Sequence, residues 1–367
     1  MIAGAPTLIS VIVPTRDRAH LLREALASIR ALESEAVLFE IIIGDNGSDP
    51  ASRAAAEEFG AIYKPVDRNG AGAARNAGLR AATGEFIAFL DDDDVWLPAN
   101  ISAQLKMLRE QPALEAVFGQ VISTDQDLKP QTDPWPETPG TGDELVKSML
   151  SSYYPQLGAT FVRASVAREV GLFDETLLGD QDWDWQLRIA RRRKVGFTPT
   201  PGVLFRQRPP GSFDKLRMMR LGFARKVFLR HALPEWRVFG HPLGIVKGYT
   251  ASIRQYFDYF VDAADRRSRA GERKEALKAI GGAFRVFPAR ALFHLMLKPR
   301  LRGAAAGRAD LPREPGRRAR ARAHAAAGLA RDAPHLGHRP GRGAPDEPAA
   351  RRGVYHRGQA RRVARVA

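Results

Sequence analysis

Four consecutive carboxylates, Asp91 to Asp94, follow directly on the apolar run Phe86-Ile-Ala-Phe-Leu90 and lead into Val-Trp-Leu-Pro98. Two carboxylates ~4 Å apart repel by roughly 4 kcal/mol at an effective dielectric near 20. Such a cluster calls for a counter-cation. In an extended segment Asp91 and Asp93 share one side, and Asp92 and Asp94 the other. Two hard oxygen ligands side by side suit Mg²⁺ or Mn²⁺, with a substrate phosphate completing the shell. The plainer reading is a solvated acidic turn that caps a helix starting near Pro98. That accounts for one or two of the aspartates, not for four.

Two other stretches carry chemistry. Asn69-Gly-Ala-Gly-Ala-Ala-Arg75-Asn-Ala-Gly78 opens a helix with small residues. These permit close backbone approach, and a helix start favours an anion. Arg75 is placed there to reach a phosphate or to pair with the aspartates; the plain alternative is a surface arginine on a flexible loop. The second stretch is Gly179-Asp-Gln-Asp182-Trp-Asp184-Trp-Gln-Leu-Arg188. Asp184 and Arg188 stand at i and i+4 and are expected to pair, a structural role. Asp182 has no such partner at the helix start. Its plain reading is a simple N-cap, which Asp favours.

Strands and helices alternate so as to place these residues. Leu8–Val13, Phe39–Ile43, Ala61–Tyr63 and Phe86–Leu90 are apolar runs expected to be strands. Helical spacing falls between them, at His20–Leu32, Pro50–Phe59 and Asn69 to about Ala82. This is the alternation of a parallel-sheet domain, where ligands bind beyond the carboxyl ends of the strands. Further on, Ala116–Ile122, Gly158–Val162, Val195–Pro199 and Val203–Arg206 are expected strands. Pro98–Gln111, Asp143–Ser151, Ser165–Val170 and the segment from Asp182 are expected helices. Thr124–Thr141 and Tyr153–Thr160 are expected to be loops.

From Asp214 to about Leu301 the pattern is helical and basic. Ile253–Ala264 and Glu272–Val286 are expected to form an antiparallel pair joined around Gly271. Phe287, Leu292, Phe293, Met296 and Leu297 lie among Arg285, Arg290 and Lys298. The stretch is expected to pack on the rest of the chain; contact with an anionic membrane surface is the further reading. From Leu301 onward there are 16 Arg, no Lys and 5 Asp or Glu, so this tail carries +11 of the net +16. Its scarcity of large apolar residues predicts disorder; a frame-shifted reading of a GC-rich gene would give the same composition. No aromatic stacking pattern accompanies the arginines, so nucleic acid is not the expected partner.

The absence of cysteine rules out disulfides and thiolate metal sites. No run of 18 apolar residues is present, and no basic segment with a following apolar stretch starts the chain. Neither a membrane span nor a signal peptide is expected.

In this order, six segments resemble glycosyltransferase family 2, the inverting nucleotide-sugar transferases of GT-A fold. They are Val-Ile-Val-Pro14-Thr15-Arg-Asp-Arg18, Gly-Asp45-Asn-Gly-Ser-Asp, Gly-Ala-Ala-Arg75-Asn-Ala-Gly, Phe-Leu-Asp91-Asp-Asp-Asp-Val-Trp, Gly-Leu-Phe-Asp-Glu175 and Asp-Gln-Asp182-Trp-Asp-Trp-Gln-Leu-Arg. The resemblance covers about residues 8–210. It implies an α/β fold: a GT-A-like, Rossmann-type mixed sheet flanked by helices, then a helical region and the basic tail. The implied domains are 1–212, 213–301 and 302–367.

It also implies residue roles. Pro14 and Thr15 border the nucleotide base, Asp45 hydrogen-bonds base or ribose, and Arg18 and Arg75 lie near the nucleotide. Asp91 and Asp93 match the outer positions of the family's Asp-any-Asp motif. Asp93 would hold Mg²⁺ or Mn²⁺ on the diphosphate, Asp91 would contact ribose or the metal, and Asp92 fills the variable middle on the donor side. Asp182 would be the general base. The implied partners are a nucleotide-sugar donor, most simply a UDP-sugar, and a glycan or lipid-linked acceptor at the cytoplasmic membrane face. Two departures are visible. Gln181 replaces the usual Glu before Asp182, and Phe205–Ser212 lacks the His that many relatives use for the metal, leaving Arg206 or Arg208 to contact the diphosphate. A silent nucleotide-sugar binder is the rival reading these departures suggest. A sugar-phosphate nucleotidyltransferase would need a glycine-rich loop after the first strand, and Pro14–Arg18 has none.

Overall fold

The computed structural model describes residues 5–208 and 214–297. The tail 302–367, expected to be disordered, lies outside the described residues. β1 (Thr7–Thr15), α1 (Ala19–Arg30), β2 (Val37–Asp45), α2 (Pro50–Glu58), β3 (Ile62–Pro65), α3 (Ala71–Ala81) and β4 (Phe86–Phe89) alternate as expected. They are followed by β5 (Val95–Trp96), α4 (Asn100–Glu110), β6 (Ala116–Thr124), α5 (Gly142–Met149), β7 (Thr160–Arg163), α6 (Ala164–Val170), α7 (Gln181–Ala190) and β8 (Val195–Arg206). Four helices complete the described chain: α8 (Asp214–Ala232), α9 (Pro242–Arg269), α10 (Arg273–Val286) and α11 (Pro288–Leu297).

One eight-stranded sheet runs in the order β3-β2-β1-β4-β7-β6-β8-β5. β3, β2, β1 and β4 pair in parallel, β7 runs antiparallel to both β4 and β6, and β6 and β8 are parallel. The sheet is therefore mixed. Ile9, Val11, Val13, Ile41, Ile43, Phe86 and Ala88 are buried against Leu22, Leu26 and Ile29 of α1. Burial on both faces is why these strands read as continuous apolar runs rather than as alternation.

Val195–Pro199 and Val203–Arg206, expected as two strands, are one strand with a bulge. β8 shifts register opposite Gly119, Gln120 and Val121, where Pro199 and Pro201 interrupt it. A proline has no N–H for the ladder, so the strand bulges there and continues.

Chain order reverses sides at β1: β2 lies on one flank and β4 on the other. α3 is seated close above this point because glycines permit it. A Cβ on Gly44 would lie 2.1 Å from the Ala74 carbonyl oxygen, and one on Gly78 2.5 Å from Ile12 Cγ2. That close seat is what carries Arg75 to the carboxyl ends of β1 and β4.

The chain separates into two compact units, with the boundary between Phe257 and Asp258. In the first, α8 packs on α7. In the second, Gly282 of α10 lies against the Phe260 ring of α9, and the connection turns at Gly271 with φ +77°. This is the expected antiparallel pair, with a longer first helix. Among the described residues no helix is long and apolar enough to cross a membrane.

Candidate active site

The carboxyl ends of β1, β2 and β4 converge. Pro14 pairs in register with Gly44, and Thr15 with Asp45. Asp45 is buried and holds its own turn: Oδ1 accepts from Gly47 N at 2.7 Å, and Oδ2 from the Tyr63 hydroxyl at 2.9 Å. Asp17, at φ +54°, ties the β1 loop to the β2 loop. Its Oδ1 accepts from Ser48 N at 2.7 Å and Asp49 N at 3.0 Å.

After β4 the chain does not stay extended. Asp94 N donates to Asp91 O at 3.1 Å, which closes a turn. The strict alternation expected of the four aspartates is thereby corrected. Asp91, Asp93 and Asp94 each present an oxygen, all within 4.8 Å of one another. Asp92 points the other way and is fully buried: Oδ2 accepts from Thr15 Oγ1 at 2.7 Å and Arg18 Nε at 3.1 Å, and Oδ1 from Arg18 Nη2. Burial, outweighing Arg18, pushes the Asp92 carboxyl up to about 7.

Arginines from separate elements meet this turn. Arg18 Nη1 lies 2.9 Å from Asp93 Oδ2, and Arg208 Nε reaches the same oxygen at 2.6 Å. Arg75 Nη2 lies 2.6 Å from Asp91 Oδ1, and its guanidinium stands 5.7 Å from the centre of the Phe173 ring. Burial acts against the Arg75 charge, but Asp91 and then Asp182 outweigh it and raise its pKa. Burial likewise opposes the Asp91 charge, and Arg75 overcomes it, holding that carboxyl below its usual range. Arg75 Nε and Nη1 are buried without a hydrogen-bond partner. Burial, then Asp93 and Asp91, push Asp94 well above the usual carboxylate range. Three hard oxygens so placed, one strained by its neighbours' charge, fit a divalent cation such as Mg²⁺ or Mn²⁺.

Asp182 stands in the first turn of α7, half-buried, and Arg75 feels its charge. Its Oδ1 accepts from Trp183 N at 2.9 Å. The N-cap position belongs to Asp180, which takes φ +60° and makes no side-chain cap. Gln181 is buried, and its Oε1 has no partner. Behind Asp182, the buried Gln186 amide lies 2.8 Å from Thr160 Oγ1; with its amide turned over, its nitrogen donates to the carbonyls of Pro155 and Asp182, each at 3.2 Å, and its oxygen accepts from that hydroxyl.

This arrangement defines a ligand-binding α/β domain with its charged site at the strand ends, where the sheet order reverses. Residues 10–170 match the model of glycosyl transferase family 2, and that matched part of the chain is similar to the family's members. A glycosyltransferase of Rickettsia typhi, itself described as uncharacterized, is 27% identical over 195 residues, 52% of this chain and 61% of the relative. The chain thus spans less than two thirds of that relative's length. Over 105 residues, 28% of this chain and 41% of the relative, it is 31% identical to Escherichia coli WfgD, a UDP-Glc:α-D-GlcNAc-diphosphoundecaprenol β-1,3-glucosyltransferase. The crystal structure of S. aureus TarS residues 1–349 shares the fold, with a TM-score of 0.51 at 18% identity, covering 81% of this chain and 87% of that one.

Several contacts that build the site carry no local sequence signal. Arg206 binds the aspartate turn from β8. Its backbone N donates to Asp94 Oδ1 at 2.9 Å, its Nε to the Asp93 carbonyl at 2.9 Å, and its Nη1 to the Gln126 carbonyl at 2.6 Å. Arg206 also pairs with Glu24, so it is a structural clamp rather than the diphosphate contact considered for it. Asn76 locks α3 to the Gly171–Glu175 turn, donating to Phe173 O at 3.0 Å and accepting from Phe173 N at 2.8 Å. Asp184 pairs with Arg188 at 3.2 Å as expected, and also with Arg230 at 2.8 Å and His231 at 3.0 Å. In the same turn Asp174 binds Thr176 and Arg230, at 2.6 and 2.8 Å. Against its partial burial these lower its pKa to about 2. A depressed carboxyl contributes stability that is full above its unfolded value of 3.8 and lost as pH falls through about 2. Asp174→Asn is therefore expected to cost about 2 kcal/mol in urea denaturation at pH 6. The cost should shrink toward zero as the pH falls from 4 to 2; a cost independent of pH contradicts the assignment.

Proposed function

We propose that this chain is an inverting glycosyltransferase that moves a sugar from a nucleoside-diphosphate donor to a hydroxyl acceptor. The observation that carries the reading is the group of Asp91, Asp93 and Asp94 oxygens at the β4 end, with Asp182 near enough to act on Arg75. The family match supports the same chemistry. The catalytic domain in this reading is residues 1–212, with 213–301 a helical region attached to it.

Pro14, Thr15 and Asp45 line the base and ribose side, where β1 and β2 end. Arg75, with two unpartnered guanidinium nitrogens, faces the donor. Asp92 acts from beneath: it fixes Arg18 and Thr15, and so the floor under the donor. Asp93 and Asp91, joined by Asp94, would hold Mg²⁺ or Mn²⁺, which when bound neutralises the leaving diphosphate as a Lewis acid. Asp182 takes the acceptor hydroxyl proton as that oxygen attacks the anomeric carbon from the face opposite the diphosphate. One displacement then inverts configuration without an enzyme nucleophile.

The donor in this reading is a UDP-sugar and the acceptor a cell-surface glycan or lipid-linked sugar. WfgD, similar over its matched segment, carries both features in its name. A peripheral contact with the inner face of the cytoplasmic membrane fits α11. That helix exposes Leu292, Phe293, Met296 and Leu297, and Arg290 lies in its first turn. Co-sedimentation with anionic lipid vesicles, reduced by Phe293→Glu, tests this part; recovery of all protein in the supernatant contradicts it.

Gln181 in place of the family's Glu favours a second reading, a binder without turnover. Asp182→Asn separates the two. Nucleoside-diphosphate release from a UDP-sugar and a lipid-linked acceptor is expected to fall by about 10²–10⁴-fold while UDP affinity stays within about twofold. Equal turnover in wild type and variant would remove Asp182 from the chemistry.

A further inference from the structure

The start of α7 is held by side chains that lie beyond the matched residues 10–170. Asp180 precedes the helix in the left-handed region, at φ +60°, and its side chain makes no cap. A residue other than glycine keeps that conformation only where its surroundings fix it. Here the buried Asp180 carboxylate is fixed from two helices, by residues of the same compact unit. Arg220 Nη2 of α8 donates to Oδ1, and the Tyr256 hydroxyl of α9 donates to Oδ2 at 3.1 Å. Gly179 makes room for the arginine: a Cβ there would lie 2.7 Å from Arg220 Cγ. One turn earlier on α9, the Ser252 carbonyl accepts from the Tyr154 hydroxyl at 2.6 Å. The Tyr154 and Trp183 rings pack together with centroids 4.8 Å apart, and Trp183 Nε1 donates to the Met149 carbonyl at 3.0 Å. Asp182 thus has an anchored residue on each side of it, Asp180 and Trp183. Its charge is felt by Arg75 from α3 and by Arg220 from α8.

We propose that Arg220 is a positioning residue for Asp182. Anchored by Asp180, which Tyr256 also holds, it sets the start of α7 and so the place of the Asp182 carboxylate. The inference rests on the reading of Asp182 as the base, and it adds α8 and the first part of α9 to the reacting unit. The role needs no contact of Arg220 with donor or acceptor. A base must meet the hydroxyl proton at hydrogen-bond distance, so a small displacement of Asp182 costs rate steeply. Donor affinity is set at the strand ends and does not depend on Arg220.

The test uses the full chain as wild type, Arg220→Gln, Arg220→Lys, Tyr256→Phe and Lys226→Gln, with thermal unfolding to confirm that each is folded. Lys226→Gln makes the same change of charge at an exposed position of α8. By hydrogen–deuterium exchange, Arg220→Gln is expected to speed exchange in the first turns of α7 by about fivefold or more, with β1 and β4 unchanged, and Tyr256→Phe to do so less. In UDP release from UDP-glucose with Mn²⁺ and water as acceptor, Arg220→Gln is expected to lower kcat by about 10–100-fold while KM stays within about twofold. Arg220→Lys should recover most of that loss, and Lys226→Gln should leave both readouts within about twofold of wild type. Added to Asp182→Asn, Arg220→Gln should cost no further rate, because the group it positions is gone. An undiminished loss in the Asp182→Asn background, or unchanged exchange in α7, overturns the positioning. Absence of UDP release by wild type counts against the donor reading, which is a separate result; the exchange data then decide the positioning.

Discussion

The site depends on the balance between four adjacent carboxylates and the arginines that meet them. Asp91 to Asp94 crowd one turn at the end of a buried strand, where water is too sparse to screen them. Arg18, Arg75, Arg206 and Arg208 reach this turn from the β1 loop, α3, the end of β8 and the segment just after it. Removing one partner of a buried pair leaves an uncompensated charge, at a cost of about 3–5 kcal/mol. The turn is thus held jointly from the β1 loop, α3 and β8.

The same balance divides the aspartates by task. Asp92 is turned inward onto Thr15 and Arg18 and fixes the floor. Asp91, Asp93 and Asp94 keep oxygens together on the other side, where a cation fits. Asp182 approaches from α7, held by a separate buried network. Asp180 meets Arg220 and the Tyr256 hydroxyl, and Asp184 meets Arg188, Arg230 and His231. The His231 ring is fully buried, and burial lowers its pKa, so it is held neutral between Asp184 and Arg191. The two halves of the site are thus anchored by separate charged networks, one at the parallel strands and one on α7 and α8, and are joined where Asn76 of α3 holds the turn at Phe173 and Arg230 binds both Asp174 and Asp184.

The parallel half of the fold was legible because its signals are local. Apolar runs, helical spacing and the abrupt change from Leu90 to Asp91 each lie within a dozen residues. The strand ends carrying Thr15, Asp45 and Asp91 followed from that pattern. The turn at Asp91–Asp94 was not legible, because alternation assumes an extended chain and the turn is closed by Arg206, 112 residues away. Asn76 and His231 were missed, and Arg206 was expected in another role, for the same reason: each acts through contacts 47 to 113 residues distant in sequence. The bulge in β8 was visible as Pro199 and Pro201, but prolines mark an interruption without saying whether the strand resumes.

The most direct test of the account is calorimetric titration of UDP, with and without Mn²⁺, into wild type and Asp93→Ala. Metal-dependent binding in wild type that is lost in the variant is the predicted result, and it places the diphosphate at the β4 carboxylates. UDP binding indifferent to both Mn²⁺ and the substitution would show that the aspartate turn is held by its arginines alone and binds no donor-linked metal.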